Sequence, residues 1–168
     1  MGYTTDFAGS VTLVPPLNEH EVTYLQKFAS SRRMDRERGP YFIGSGMCGQ
    51  GRDDDIRDYN RPPAGQPGLW CKWEPSEDGT TIGWNGAEKF YDSEDWLRYL
   101  IDTFLRSGAA LQQELRNAVP GRAYAEEFSH FTFDHVVNGE IVAQGELDED
   151  SWILIVTDCE VSTLRPEQ

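Results

Sequence analysis

At 168 residues the chain has the length of one domain and can bury a real core. Aromatic residues make up 12% of it, which excludes a disordered chain despite the charge. The net charge of -14 disfavours non-specific binding to DNA or RNA, and no apolar run approaches the roughly 18 residues of a membrane span.

The opening residues, Met1 to Asp6, lack the basic start and apolar stretch of a signal peptide, so a cytoplasmic location is expected. Phe7, Val11, Leu13 and Val14 among small polar residues read as a strand that stops at Pro15 and Pro16. A helix follows. Asn18 with Glu21 three residues on is a capping box, and Val22, Leu25, Phe28 and Ala29 recur at helical spacing, with an end expected near Arg33.

Residues 34–68 form a long Gly/Pro/Arg-rich loop, and so long a connection is usually functional or disordered. We expect 44–56 to be mobile, 57–68 to be ordered by its prolines, and Tyr41 to Ile43 to form a short strand. Leu69 to Trp73 and Thr80 to Trp84 read as a hairpin in which Trp70 and Lys72 share one face and Cys71 and Trp73 the other. Asp92 or Ser93 caps a second helix with the apolar stripe Trp96, Leu97, Leu100, Ile101, Phe104 and Leu105, ending at Gly108. A weaker helical piece runs from Ala109 to Val119, inside a variable insertion at 109–123.

The last fifty residues read as β. Asn138-Gly139 suits a type I′ turn, which predicts a hairpin with Phe128 to Val137 and Glu140 to Leu147 as its arms. Trp152 to Val156 is a near-continuous apolar run, expected as a central strand buried on both faces, with Val161 to Leu164 as an edge. The whole is a single α+β domain, 1–168, a mostly antiparallel sheet with two helices packed on one face.

No motif assigns catalysis, and we name no catalytic residue, metal or cofactor. Cys48, Cys71 and Cys159 are odd in number and far apart, and His130 and His135 would point to opposite faces of a strand. Charge is the more informative signal. Residues 32–61 hold seven arginines against six acids, leaving -15 on the rest of the chain. A local anion site is therefore compatible with an acidic protein.

One constellation stands out. Tyr59, Asn60, Arg61, Gln66, Trp70, Trp73 and Trp84 combine a stiffened loop, an Arg, amides and dense aromatics, with Arg32 and Arg33 expected nearby. Arginine offers a planar fork for phosphate, and Trp and Tyr offer stacking faces for a base. The plainer alternative makes Trp70, Trp73 and Trp84 sheet core and pairs Arg61 with local acids.

Longer stretches carry a resemblance. Met1-Gly2-Tyr3, Pro15 to Glu19, Phe28 to Arg33, Tyr59 to Pro62, Gly65 to Trp73, Glu88 to Tyr91, Trp96 to Ile101 and Asn138 to Ile141 resemble a family of small uncharacterised proteins encoded by actinobacteria and bacteriophages. That resemblance transfers no catalytic residue. It implies a protein that binds something of the host. Three functions are carried forward: a non-enzymatic, homo-oligomeric binder of a nucleotide-like molecule that sequesters an antiviral signal; an acidic module that inhibits a host protein; and a nucleotide-processing enzyme.

Overall fold

The computed structural model describes residues 4–165; Met1, Gly2 and Tyr3, where the family resemblance opens, lie outside the described residues. Eight strands and three α-helices follow in the order β1 (Asp6–Val14), α1 (Glu19–Ala29), β2 (Asp35–Arg36), β3 (Ile56–Asp58), β4 (Trp73–Pro75), β5 (Thr81–Trp84), α2 (Ser93–Leu100), α3 (Ala110–Arg116), β6 (Val136–Gln144), β7 (Ser151–Thr157) and β8 (Glu160–Leu164). Six strands make one antiparallel sheet ordered β4-β5-β1-β6-β7-β8, and β2 pairs with β3 apart from it. The chain is thus a single α+β domain.

Alternation along the strands puts one face of the sheet under the helices. Val11, Leu13, Val137, Ile141, Leu154 and Val156 point inward and share one core with Tyr24, Leu25 and Phe28 of α1 and Trp96, Leu97 and Leu100 of α2. The capping box forms as expected: the Asn18 side chain accepts from the amides of His20 and Glu21, and the Glu21 carboxylate accepts from the Asn18 amide. Helix α1 ends at Ala29, about a turn earlier than expected, with Ser30 as its C-cap, and Ser31, Arg33 and Met34 beyond it are buried. The α2 stripe is buried throughout and runs on through a π-type turn at Ile101–Leu105.

Three expectations are corrected. Asn138 and Gly139 do not make a hairpin turn; they lie in the middle of β6, and 128–135 is a short 3-10 turn and loop. Gly139 has φ +147, and a Cβ there would lie 2.9 Å from the Val11 Cα, so glycine serves the close approach of two central strands. The Asn138 side chain instead accepts from the Asp158 amide at the β7–β8 turn, at 2.8 Å. Second, β7 is buried on one face only, because Ile153 and Ile155 turn to the uncovered side of the sheet. Third, Tyr41 to Ile43 form no strand, and Leu69 to Lys72 lie outside strand pairing.

The long loop is tied down from inside. The Arg33 amide donates to the Leu69 carbonyl, the Asp35 amide to Arg61 and the Glu37 amide to Asp55. Arg36 is buried, and its guanidinium donates to Asp55 at 2.8 Å, Asp53 at 3.2 Å and the Gly49 carbonyl at 3.1 Å. Segment 44–56, expected to be mobile, is therefore anchored by a buried charge. Removing one partner of such a group costs about 3–5 kcal/mol.

A second buried pair pins α1 to the sheet. His135 and Glu21 are both buried, with Nε2 and Oε2 2.7 Å apart, and His135 Nδ1 lies 2.6 Å from the Pro15 carbonyl. Burial alone would lower the His135 pKa. The bonds to Glu21 and Pro15, with the charges of Glu21 and Asp134, outweigh it and raise the pKa.

Candidate functional site

The nine residues singled out in the sequence do not form one site. Arg32, Tyr59 and Asn60 form a first group. The Arg32 guanidinium lies 4.7 Å over the Tyr59 ring and donates to the Tyr59 carbonyl and the Asn60 side chain. The Tyr59 hydroxyl donates to Gln50 at 2.8 Å. Arg61, nearby in sequence, is 81% exposed in its side chain, and its one ion-pair partner among the described residues is Asp58, at 3.7 Å.

Arg33 and Gln66 form the second, and it is internal. Arg33 is buried, with its guanidinium 4.4 Å over the Phe28 ring and donating to Ser31, the Pro40 carbonyl and the Phe42 carbonyl. Burial lowers its pKa. Gln66 donates to the carbonyls of Arg33 and Gly68 at 2.8 and 2.7 Å. These two side chains hold the loop to the core. They are not available to a ligand on the surface.

The tryptophans divide. Trp73 is 1% exposed and donates to the Ser93 carbonyl at 2.8 Å, and Trp84 packs edge-on to Phe7 and donates to the Ala87 carbonyl. Both belong to the aromatic wall of the core. Trp70 faces the other way. It lines a cleft of about 450 Å³ with Lys72, Lys89, Tyr91, Asp92 and Trp96.

The local sequence explains that cleft. Residues 70–73 keep an extended alternation even outside the ladder, so Cys71 and Trp73 are buried while Trp70 and Lys72 face out together. Lys72 Nζ donates to the carbonyls of Glu88 and Lys89 at 2.8 and 2.7 Å, which fixes the 88–91 segment as the opposite wall. Neither Lys72 nor Lys89 has an ion-pair partner among the described residues. Burial lowers the Lys72 pKa, and the two carbonyls that accept from its ammonium group offset the desolvation without neutralising its charge. An anion in the cleft would neutralise that charge.

The floor adds a directed donor. Trp96 is 1% exposed, and its indole N–H makes no hydrogen bond among the described residues. A Cβ on Gly68 would lie 3.6 Å from that nitrogen, so the absence of a side chain at Gly68 leaves it open to the cleft. Tyr91 is 63% exposed and presents a ring at the rim. Asp92 caps α2 with φ +58 and makes no side-chain cap bond, so its carboxylate is free of the helix. Two ammonium groups, one carboxylate, exposed aromatic faces and an unpartnered N–H thus converge in a protein of net charge -14.

The sequence singles out Trp70, in a constellation with Arg61 and Gln66, and puts Lys72 on its face. Lys89 and Tyr91 enter the sequence analysis only within the Glu88 to Tyr91 stretch of the resemblance, and Trp96 as part of an apolar helix stripe. The signal for Trp96 was the glycine at 68, whose role depends on a contact across 28 positions. No three His, Cys, Asp or Glu side chains group as metal ligands among the described residues. No helix among them is long and apolar enough to cross a membrane. No protein-family profile, curated protein or solved structure matches the chain.

Proposed function

We propose that this chain is a non-enzymatic cytoplasmic binding protein for a nucleotide-like anion, with the Trp70 cleft as its site. The observation that carries the reading is a pair of ammonium groups without carboxylate partners, set beside exposed aromatic faces and an unpartnered indole N–H. Lys72 and Lys89 would hold a phosphate, Trp70 or Tyr91 would stack on a base, and Trp96 Nε1 or Asp92 would meet a polar edge. A cleft of about 450 Å³ is within the usual range for small-ligand sites, and it suits one nucleotide. On this reading, sequestering the ligand is itself the activity.

The test is a native mass spectrum and a tryptophan-fluorescence titration with a panel of nucleoside monophosphates and cyclic nucleotides. The expected result is saturable binding of at least one of them. Trp70→Ala and Lys89→Gln should each weaken it by about tenfold or more, from the loss of a stacking face or a charge-assisted bond. No mass shift across the panel, or wild-type affinity in both folded variants, would overturn the assignment.

A further inference from the structure

A second cleft, of about 510 Å³, opens between α1 and the segments 41–44 and 123–127. None of its residues takes part in the Trp70 site. Its lining includes Tyr24 and Tyr41, both nearly buried, and the more exposed Tyr124, and its charged groups are Glu126, Glu127 and Lys27. The Tyr24 hydroxyl donates to the Tyr41 carbonyl at 2.6 Å, and the Tyr124 hydroxyl donates to Glu114. The Tyr41 hydroxyl is different. Tyr41 is only 7% exposed, yet its hydroxyl makes no hydrogen bond among the described residues. The residue is nearly buried, yet its hydroxyl oxygen stays accessible and has no partner among the described residues, so it can meet a ligand atom in that open cleft.

Charge says what kind of ligand. Glu126 and Glu127 have no ion-pair partner among the described residues, and neither does Lys27. The cleft therefore carries a net negative charge within a field of -14 for the whole chain, which draws cations to it. Aromatic walls bind organic cations through their ring faces, and a guanidinium does so while also donating to carboxylates.

We propose that this cleft binds an organic cation, a guanidinium or alkylammonium group, against the tyrosine rings, with Glu126 and Glu127 on its charge and the Tyr41 oxygen accepting an N–H. Lys27 opposes the cation and tempers its affinity. The ligand is either a small free amine or the basic side chain of a partner protein. The two share the same chemistry.

The full chain, labelled with ¹⁵N, is titrated with agmatine, arginine amide, citrulline amide and the peptide Gly-Arg-Gly, and followed by amide chemical shifts. Saturable shifts clustered at 41–44 and 123–127 are expected with the arginine compounds, and at least tenfold weaker binding with citrulline amide. Glu126→Gln with Glu127→Gln should weaken binding tenfold or more, and Lys27→Gln should strengthen it. Tyr41→Phe, which keeps the ring, should weaken it several-fold. Tighter binding of agmatine than of Gly-Arg-Gly identifies a free amine; the reverse identifies a partner's side chain. Citrulline amide binding as tightly as arginine amide, shifts centred elsewhere, no binding at millimolar concentration, or an unaffected double Gln variant would each overturn the proposal.

Discussion

Gly68→Ala separates folding from binding at the Trp70 cleft. Gly68 does not occupy the left-handed region, and the only atom of the described residues within 4 Å of an added Cβ is Trp96 Nε1, at 3.6 Å. That is ordinary van der Waals contact, so the native state accepts the methyl group. The unfolded chain loses freedom, which stabilises the protein by about 0.4–1 kcal/mol. For a chain of this length the melting temperature should rise by roughly 1–4 °C. The same methyl group covers the indole N–H. If the ligand accepts that hydrogen bond, its loss is worth about 0.5–1.5 kcal/mol, or roughly a 2- to 12-fold weaker Kd. A thermal melt and a fluorescence titration with the tightest nucleotide of the panel measure both quantities. Unchanged affinity in a variant of normal stability would refute a role for Trp96 Nε1. A melting temperature several degrees lower would refute the reading of Gly68 as an open position.

Arg61→Ala should leave both stability and nucleotide affinity nearly unchanged, within about 0.5 kcal/mol, because its side chain is 81% exposed and outside the cleft; a tenfold loss of binding would restore the site expected from sequence. Gly139→Ala should cost at least about 1–3 kcal/mol in urea unfolding, because φ is +147 and the new Cβ would meet the Val11 backbone at 2.9 Å; an unmoved midpoint would contradict that. The raised pKa of His135 predicts a pH dependence. Its stabilisation is fully present below the unfolded histidine value of about 6.5 and is lost as pH rises through the folded value. The urea midpoint should therefore fall with rising pH in that window, and Glu21→Gln should flatten the slope. A wild-type midpoint that stays level, or an equal slope in Glu21→Gln, would count against the buried pair as the cause.

Much of the fold was legible because its causes are local. The Asn18–Glu21 capping box, the α2 stripe and the alternation from Trp70 to Trp73 each depend on residues within a turn or two, and all three survive in the structure. Asn138-Gly139 shows the limit of that logic. Its turn preference is real, but it lost to pairing with β1 and β7, and Gly139 is needed there for close backbone approach.

The candidate site was legible only in part. Composition and periodicity determined that an acidic α+β domain would hold an arginine-rich loop, and that Trp70 and Lys72 would face the same way. They could not say which cations would stay unpaired. Arg33 and Arg61 are the same residue type in the same loop region, yet one is buried under the Phe42 and Pro40 carbonyls and the other stands in solvent. Lys72 is held by carbonyls 16 and 17 positions away, and Trp96 is exposed to its cleft by a missing side chain at Gly68. Whether a charge or an N–H is free for a ligand depends on every group packed around it. Those groups come from distant parts of the chain, so only the tertiary structure decides it.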